Sequence, residues 1–143
     1  MAILNWDERL STGIPEIDQQ HRELAAMVND LHDGVIGRQD ETASRRLLGV
    51  FIAATGHHFQ TEERYMRSYA FGGYDRHKSE HDALMAKAHE LESRIDAGEA
   101  KLTRDVVMFL RNWLHGHILG EDMTYAVFLA RQGVGHLPAA SIA

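Results

Sequence analysis

The 143-residue sequence predicts an all-α protein: an antiparallel up-down-up-down four-helix bundle with an N-terminal arm. Three observations carry that expectation. Proline occurs only at positions 15 and 138, so long stretches contain no helix breaker. Apolar residues recur at spacings of three and four, with no period-two alternation of any length. Turn-like clusters at Gly37-Arg38-Gln39-Asp40, at Gly72-Gly73 and around Gly98 leave segments that suit helices of roughly 20 to 28 residues.

The elements follow in order. One domain over residues 1–143 is expected, with an arm over 1–15, the bundle over about 16–131 and a poorly ordered tail over about 132–143. Trp6, Leu10 and Ile14 give the arm apolar groups to pack. Pro15 suits the first turn of a helix, where its missing N–H is not needed. The first helix spans about 16–36, with His21, Leu24, Val28, Leu31 and Val35 on its inner face. The second, about 42–69, turns Leu48, Phe51, Thr55, His58, Glu62, Tyr65 and Tyr69 inward. The third, about 75–97, presents His77, His81, Leu84, Ala88, Leu91 and Ile95. The fourth, about 103–131, presents Val106, Leu110, Trp113 with Leu114, and His117.

Composition narrows the chemistry. There are 10 histidines, 21 acidic residues and no cysteine, so a bound metal would be held by imidazole and carboxylate. Thiolate zinc sites, iron–sulfur clusters and disulfides are excluded. The net charge is −6 and the 15 basic residues are scattered, which argues against nucleic acid. The longest charge-free run through the middle, Leu47 to Thr61, is too short to span a membrane. The N-terminus lacks the pattern of a signal peptide, so a cytoplasmic location is expected. A monomer is expected.

Each inner face carries histidine, and the second adds Glu62. Buried imidazole or carboxylate is costly unless it is paired or bound to metal. Their heights can be compared if short loops make neighbouring helices antiparallel. The midpoint between His21 and His58 then falls in the first turn. That between the His58/Glu62 and His77/His81 pairs falls in the second turn, and that between the third-helix pair and the end of the fourth in the third turn. The polar core residues therefore share one layer. Independent structural histidines have no reason to do so; ligands of one metal site do. The i,i+4 spacing of His58 with Glu62 and of His77 with His81 puts each pair on one face.

The patterns Ile17-Asp18-Gln19-Gln20-His21, His58-Phe59-x-x-Glu62-Glu63-x-x-Met66, His77-x-x-x-His81 and Trp113-Leu114-x-x-His117-Ile118-x-x-x-Asp122 resemble those of hemerythrins, in particular the bacterial single-domain form. The resemblance covers roughly residues 5–128. It implies a non-haem di-iron centre with an oxo or hydroxo bridge that binds O2 reversibly, as an oxygen carrier, store or sensor rather than an enzyme. It implies that His77, His81 and His117 hold one iron and His21 and His58 the other. Glu62 and Asp122 would bridge them, leaving an open position on the second iron. It also implies an oxygen pocket lined by Phe59, Trp113, Leu114 and Ile118, whose ordinary role is core packing. The protein partner is left open; the absence of a second domain leans toward a carrier or buffer.

Asp122 lies i+5 from His117, about 140° further round a regular helix. Glu121, at i+4, is better placed by spacing alone, so Asp122 requires a local distortion such as a π-bulge. His57 and His115 are expected to face outward or to support the ligands, and His32, His89 and His136 to lie on the surface or in the tail. Gly116 and Gly120 are expected to admit a neighbouring backbone or to make the helix pliable. Tyr125 could hydrogen-bond near the centre or merely pack. Three other readings compete: a di-iron oxidase, peroxidase or nitric-oxide-handling enzyme; a zinc peptidase built on His77-Lys78-Ser79-Glu80-His81; and a metal-free bundle.

Overall fold

The computed structural model describes residues 2–38 and 40–133. The expected tail and His136 fall largely outside them. Helix α1 covers Pro15–Ile36, α2 Glu41–Ser68, α3 Tyr74–Asp96 and α4 Arg104–His117. A π-helical turn, Ile118–Asp122, joins α4 to α5, Met123–Arg131. Helical backbone angles at both junctions make these three pieces one rod. The result is a four-helix bundle, with no strand among the described residues.

Local chemistry sets the helix ends. Pro15 occupies the first turn of α1. Ahead of it, the Asp18 carboxylate accepts from the Ser11 and Thr12 hydroxyls (2.8 and 2.7 Å) and from the Thr12 N–H (2.7 Å). This ties the arm to α1. Asp40 caps α2 by accepting from the Thr42 N–H, and Thr103 caps α4 by accepting from the Val106 N–H. Helix α3 ends on Gly98 at φ +76°, with the Glu99 N–H reaching back to the Arg94 carbonyl. Helix α2 ends in the same way, but with Ala70 in the left-handed position at φ +54°.

The arm crosses the bundle in ordered form. Ile3 and Leu4 N–H groups donate to the Asn29 side-chain oxygen (2.9 Å each), Asn29 donates back to the Leu4 carbonyl, and Arg111 donates to the Ile3 carbonyl. Leu4 and Leu10 are thereby buried against Leu24, Val28 and Leu31 of α1, Leu48 and Phe51 of α2, and Val107 and Leu114 of α4. A second apolar cluster, Ile14, Ile17, Met66, Tyr125 and Leu129, closes the other end. The histidine layer lies between the two.

Several expected inner-face residues are placed differently. Helix α1 packs on α2 and α4, and α2 packs on α3, but the backbones of α3 and α4 stand further apart and meet through the side chains of His77, His81 and His117. Leu84, Ala88, Leu91 and Ile95 of α3 are therefore only half-buried. Because α4 leans toward α1, Val107 rather than Val106 is fully buried, and Trp113 is half-buried. Tyr69 is exposed, since α2 ends at Ser68 and the next residue leaves the helical phase. His32 is buried rather than on the surface: it is i+4 from Val28 and continues the inner stripe of α1. Gly116 and Gly120 admit no neighbouring backbone, because a Cβ on either would meet nothing within 4 Å.

Candidate metal centre

Five histidines and two carboxylates converge in the buried layer. His21 comes from α1, His58 and Glu62 from α2, His77 and His81 from α3, His117 from the end of α4 and Asp122 from the end of the π turn. All seven are at most 6% exposed. They form two groups of potential metal ligands: His77, His81 and His117, and His21 and His58. Glu62 and Asp122 belong to both.

Asp122 has one oxygen for each group. Its Oδ1 lies 3.1 Å from His77 Nε2 and 3.0 Å from His117 Nε2, while Oδ2 lies 3.0 Å from His21 Nε2 and 4.0 Å from His58 Nε2. Glu62 Oε1 lies 2.8 Å from His58 Nε2 and 3.6 Å from His81 Nε2, and Oε2 lies 3.8 Å from His77 Nε2. The nearer separations are what ligands at right angles around one ion require: bonds of about 2.1 Å place adjacent donor atoms about 3.0 Å apart.

The π turn is what brings Asp122 in. An i→i+5 turn accommodates one extra residue, which cancels the mismatch of the His117–Asp122 spacing. Glu121, favoured by spacing in a regular helix, is carried to the rim, where it pairs with Arg76 at 3.4 Å.

The outer nitrogens of two imidazoles are held. His58 Nδ1–H donates to the Gln20 side-chain oxygen (2.7 Å), and the Gln20 amide donates to the Thr61 hydroxyl (3.0 Å), which fixes the orientation of the amide. His81 Nδ1–H donates to Glu63 (2.9 Å), and Lys78 stands 3.8 Å from that carboxylate. Each ring then keeps a lone pair on the inward Nε2. Sequence reasoning gave Gln20, Thr61 and Glu63 no role. The only signal was adjacency, Gln20 to His21 and Glu63 to Glu62.

Electrostatics agree with a set of donor atoms facing one another. His58 is pushed down to about 4 by burial and by His21, and His81 to about 2 by burial and by His77 and His117. Burial, then the neighbouring Asp122 carboxylate, pushes Glu62 well above the usual range. Asp122 is held well below it: burial opposes ionisation, but the charge and hydrogen bond of His117 at Oδ1, with the other imidazoles close by, prevail. His117 is raised: burial opposes protonation, but the Asp122 charge outweighs it. His58 Nε2, both Glu62 oxygens and Asp122 Oδ2 are buried without a hydrogen bond, although they lie close together. Lone pairs of nitrogen and oxygen facing one another repel unless a proton or a cation stands between them. A divalent ion would satisfy them together, so the donor set fits a metal.

Aromatic rings wall one side. Phe59 stacks on His81 with centroids 3.8 Å apart and planes 5° apart, and Trp113 stacks on His117 at 5.2 Å. Leu114 and Ile118 are fully buried in the larger apolar cluster. Tyr125 is fully buried with its ring edge-on to His77 at 5.4 Å, and burial, then the neighbouring Glu62 carboxylate, pushes its hydroxyl well above the usual range. His57 and His89 are exposed and His115 is half-buried, and none joins either ligand group. His77 and His81, the histidine pair of the expected zinc peptidase pattern, share their group with His117, Glu62 and Asp122.

The sequence profile of the hemerythrin HHE cation binding domain matches residues 12–129. The chain belongs to the hemerythrin family. Among its relatives, it is 33% identical over 132 residues to the bacteriohemerythrin of Methylococcus capsulatus, covering 91% of this chain and 99% of that protein. It is also 33% identical over 126 residues to the bacteriohemerythrin of Stenotrophomonas maltophilia, covering 88% of this chain and 81% of the relative. A crystal structure of wild-type hemerythrin superposes with a TM-score of 0.84 at 31% identity, covering 87% of this chain and 96% of that one. Membership of the hemerythrin family accounts for a non-haem metal site between the helices. No helix among the described residues is long and apolar enough to cross a membrane.

Proposed function

We propose that the protein binds dioxygen reversibly at a pair of iron ions held in the buried layer. His77, His81 and His117 would hold one iron and His21 and His58 the other, with Glu62, Asp122 and an oxo or hydroxo group between them. The observation that carries this reading is the division of Asp122, whose two oxygens face different histidine groups at 3.0–3.1 Å. One group has three histidines and the other two, so the second offers one donor fewer and leaves room for a small ligand. A reduced iron pair supplies the two electrons that reversible dioxygen binding needs.

The chain's own residues set the conditions. Five imidazoles and two carboxylates give a less anionic environment than the carboxylate-rich di-iron oxidases, which favours release of dioxygen over cleavage. Phe59, Trp113, Leu114 and Ile118 exclude water from the neighbourhood of the small ligand. Gln20 and Glu63 hold His58 and His81 in the tautomer with Nε2 free. The family's members in bacteria, together with the site's chemistry, support O2 as the ligand.

Addition of O2 to the reduced, iron-loaded protein should produce a visible absorption band that disappears under vacuum through repeated cycles. Irreversible bleaching would support an oxidase instead. Glu62→Ala should abolish binding of the second iron, read as iron per chain by elemental analysis; retention of two irons at full occupancy would overturn the bridging role of Glu62.

A further inference from the structure

The open seam between α3 and α4 forms a cleft of about 340 Å³. That is within the size range of small-molecule pockets. Its walls are apolar: Leu84 and Leu91 from α3, Leu110 from α4, and Ile52 at the base from α2. Phe59 and Trp113 form its inner end, and Phe109, 57% exposed, stands at the rim. Leu84 and Leu91 are two turns apart, so the apolar strip is about 10 Å long.

Two charged residues complete the lining, Lys87 on α3 and Asp105 on α4. They lie at different heights. Asp105 sits in the first turn of α4, where the helix N-terminus compensates its charge. Lys87 stands about one turn from Leu84, nearer the inner end. No described residue forms an ion pair or hydrogen bond with it. The cleft is thus an apolar trough with one uncompensated cation at its edge and an anion at its far end.

We propose that this cleft binds an aliphatic monocarboxylate, with the carboxylate on the Lys87 ammonium and the alkyl chain descending past Leu84 toward Phe59 and Trp113. The chain removes apolar wall from water, and Lys87 selects an acid over the corresponding alcohol. The apolar inner end at Phe59 and Trp113 disfavours a second carboxylate at the other end of the chain. The inference does not rest on which metal or gas the buried centre takes.

Calorimetric titration of the purified full-length protein with octanoate, octan-1-ol and octanedioate tests it. Octanoate should bind saturably and more tightly than the other two. Lys87→Glu, at an exposed position, should weaken octanoate about fivefold or more and leave octan-1-ol unchanged. Ala88→Trp should fill the trough and abolish binding of both. The absence of saturable octanoate binding would overturn the proposal. So would an unchanged preference for octanoate over octan-1-ol in Lys87→Glu, whatever the fate of the tryptophan variant.

Discussion

A neutral imidazole has one lone pair to offer, and the partner of its other nitrogen decides where that lone pair points. Glu63 makes this decision for His81 and Gln20 for His58. Glu63→Ala should therefore weaken metal binding by about 10- to 100-fold while the helical circular dichroism stays unchanged; competition with a chelator measures it. The protonation states yield a second expectation. Glu62 and His117 are both raised, so they hold their protons to higher pH than usual, and a metal competes with those protons. His58 and His81, at about 4 and about 2, are already neutral at pH 7 and release none. Metal affinity should fall as pH falls through the raised values, with proton release visible in calorimetry across buffers of different ionisation enthalpy. The common height of the five histidines and Glu62 was legible in the sequence because periodicity and loop symmetry fix it, whereas Asp122 was named only by the resemblance. Gln20 and Glu63 were not, because their hydrogen bonds cross between helices and leave no mark in the spacing along either one.

At the scale of the element, all four rods were legible to within a residue or two at most ends, since Pro15, Asp40, Thr103 and the glycine turns act locally. The π turn was foreshadowed only because the resemblance demanded Asp122 where regular spacing favoured Glu121. The ends of α2 and α3 form a natural comparison. Each closes through a left-handed residue, Gly98 at no steric cost but Ala70 with a Cβ against the following carbonyl. Ala70→Gly should stabilise the protein by about 0.5–1 kcal/mol, measured as a higher denaturant midpoint with an unchanged slope.

Across the whole molecule, the buried layer is a fault in the core that a bound ion would repair. Two apolar clusters hold the bundle at either end, and between them sit unpaired polar atoms. Removing the metal with a chelator should lower Tm, and resupply should restore it. Excess ligand at about 100 times Kd contributes about 2.7 kcal/mol. A chain whose Tm ignores metal would show that the layer is satisfied by protons alone. The open α3–α4 seam was not legible. The stripe Leu84, Ala88, Leu91 and Ile95 reads as core by period, but period reports which residues share a face, not how closely the facing helix approaches.

The π turn also sets the phase of everything beyond it. One extra residue rotates α5 by about 100° relative to an uninterrupted α4. That rotation is what aims Tyr125 and Leu129 at Ile17 and Met66. Straightening the turn would withdraw Asp122 and at the same moment swing these two side chains out of their cluster. Ligand position and end packing thus share a single mechanical degree of freedom. Drift in this segment that spoils the site will also loosen the bundle, so a folded but ligand-defective intermediate is hard to reach by changes there.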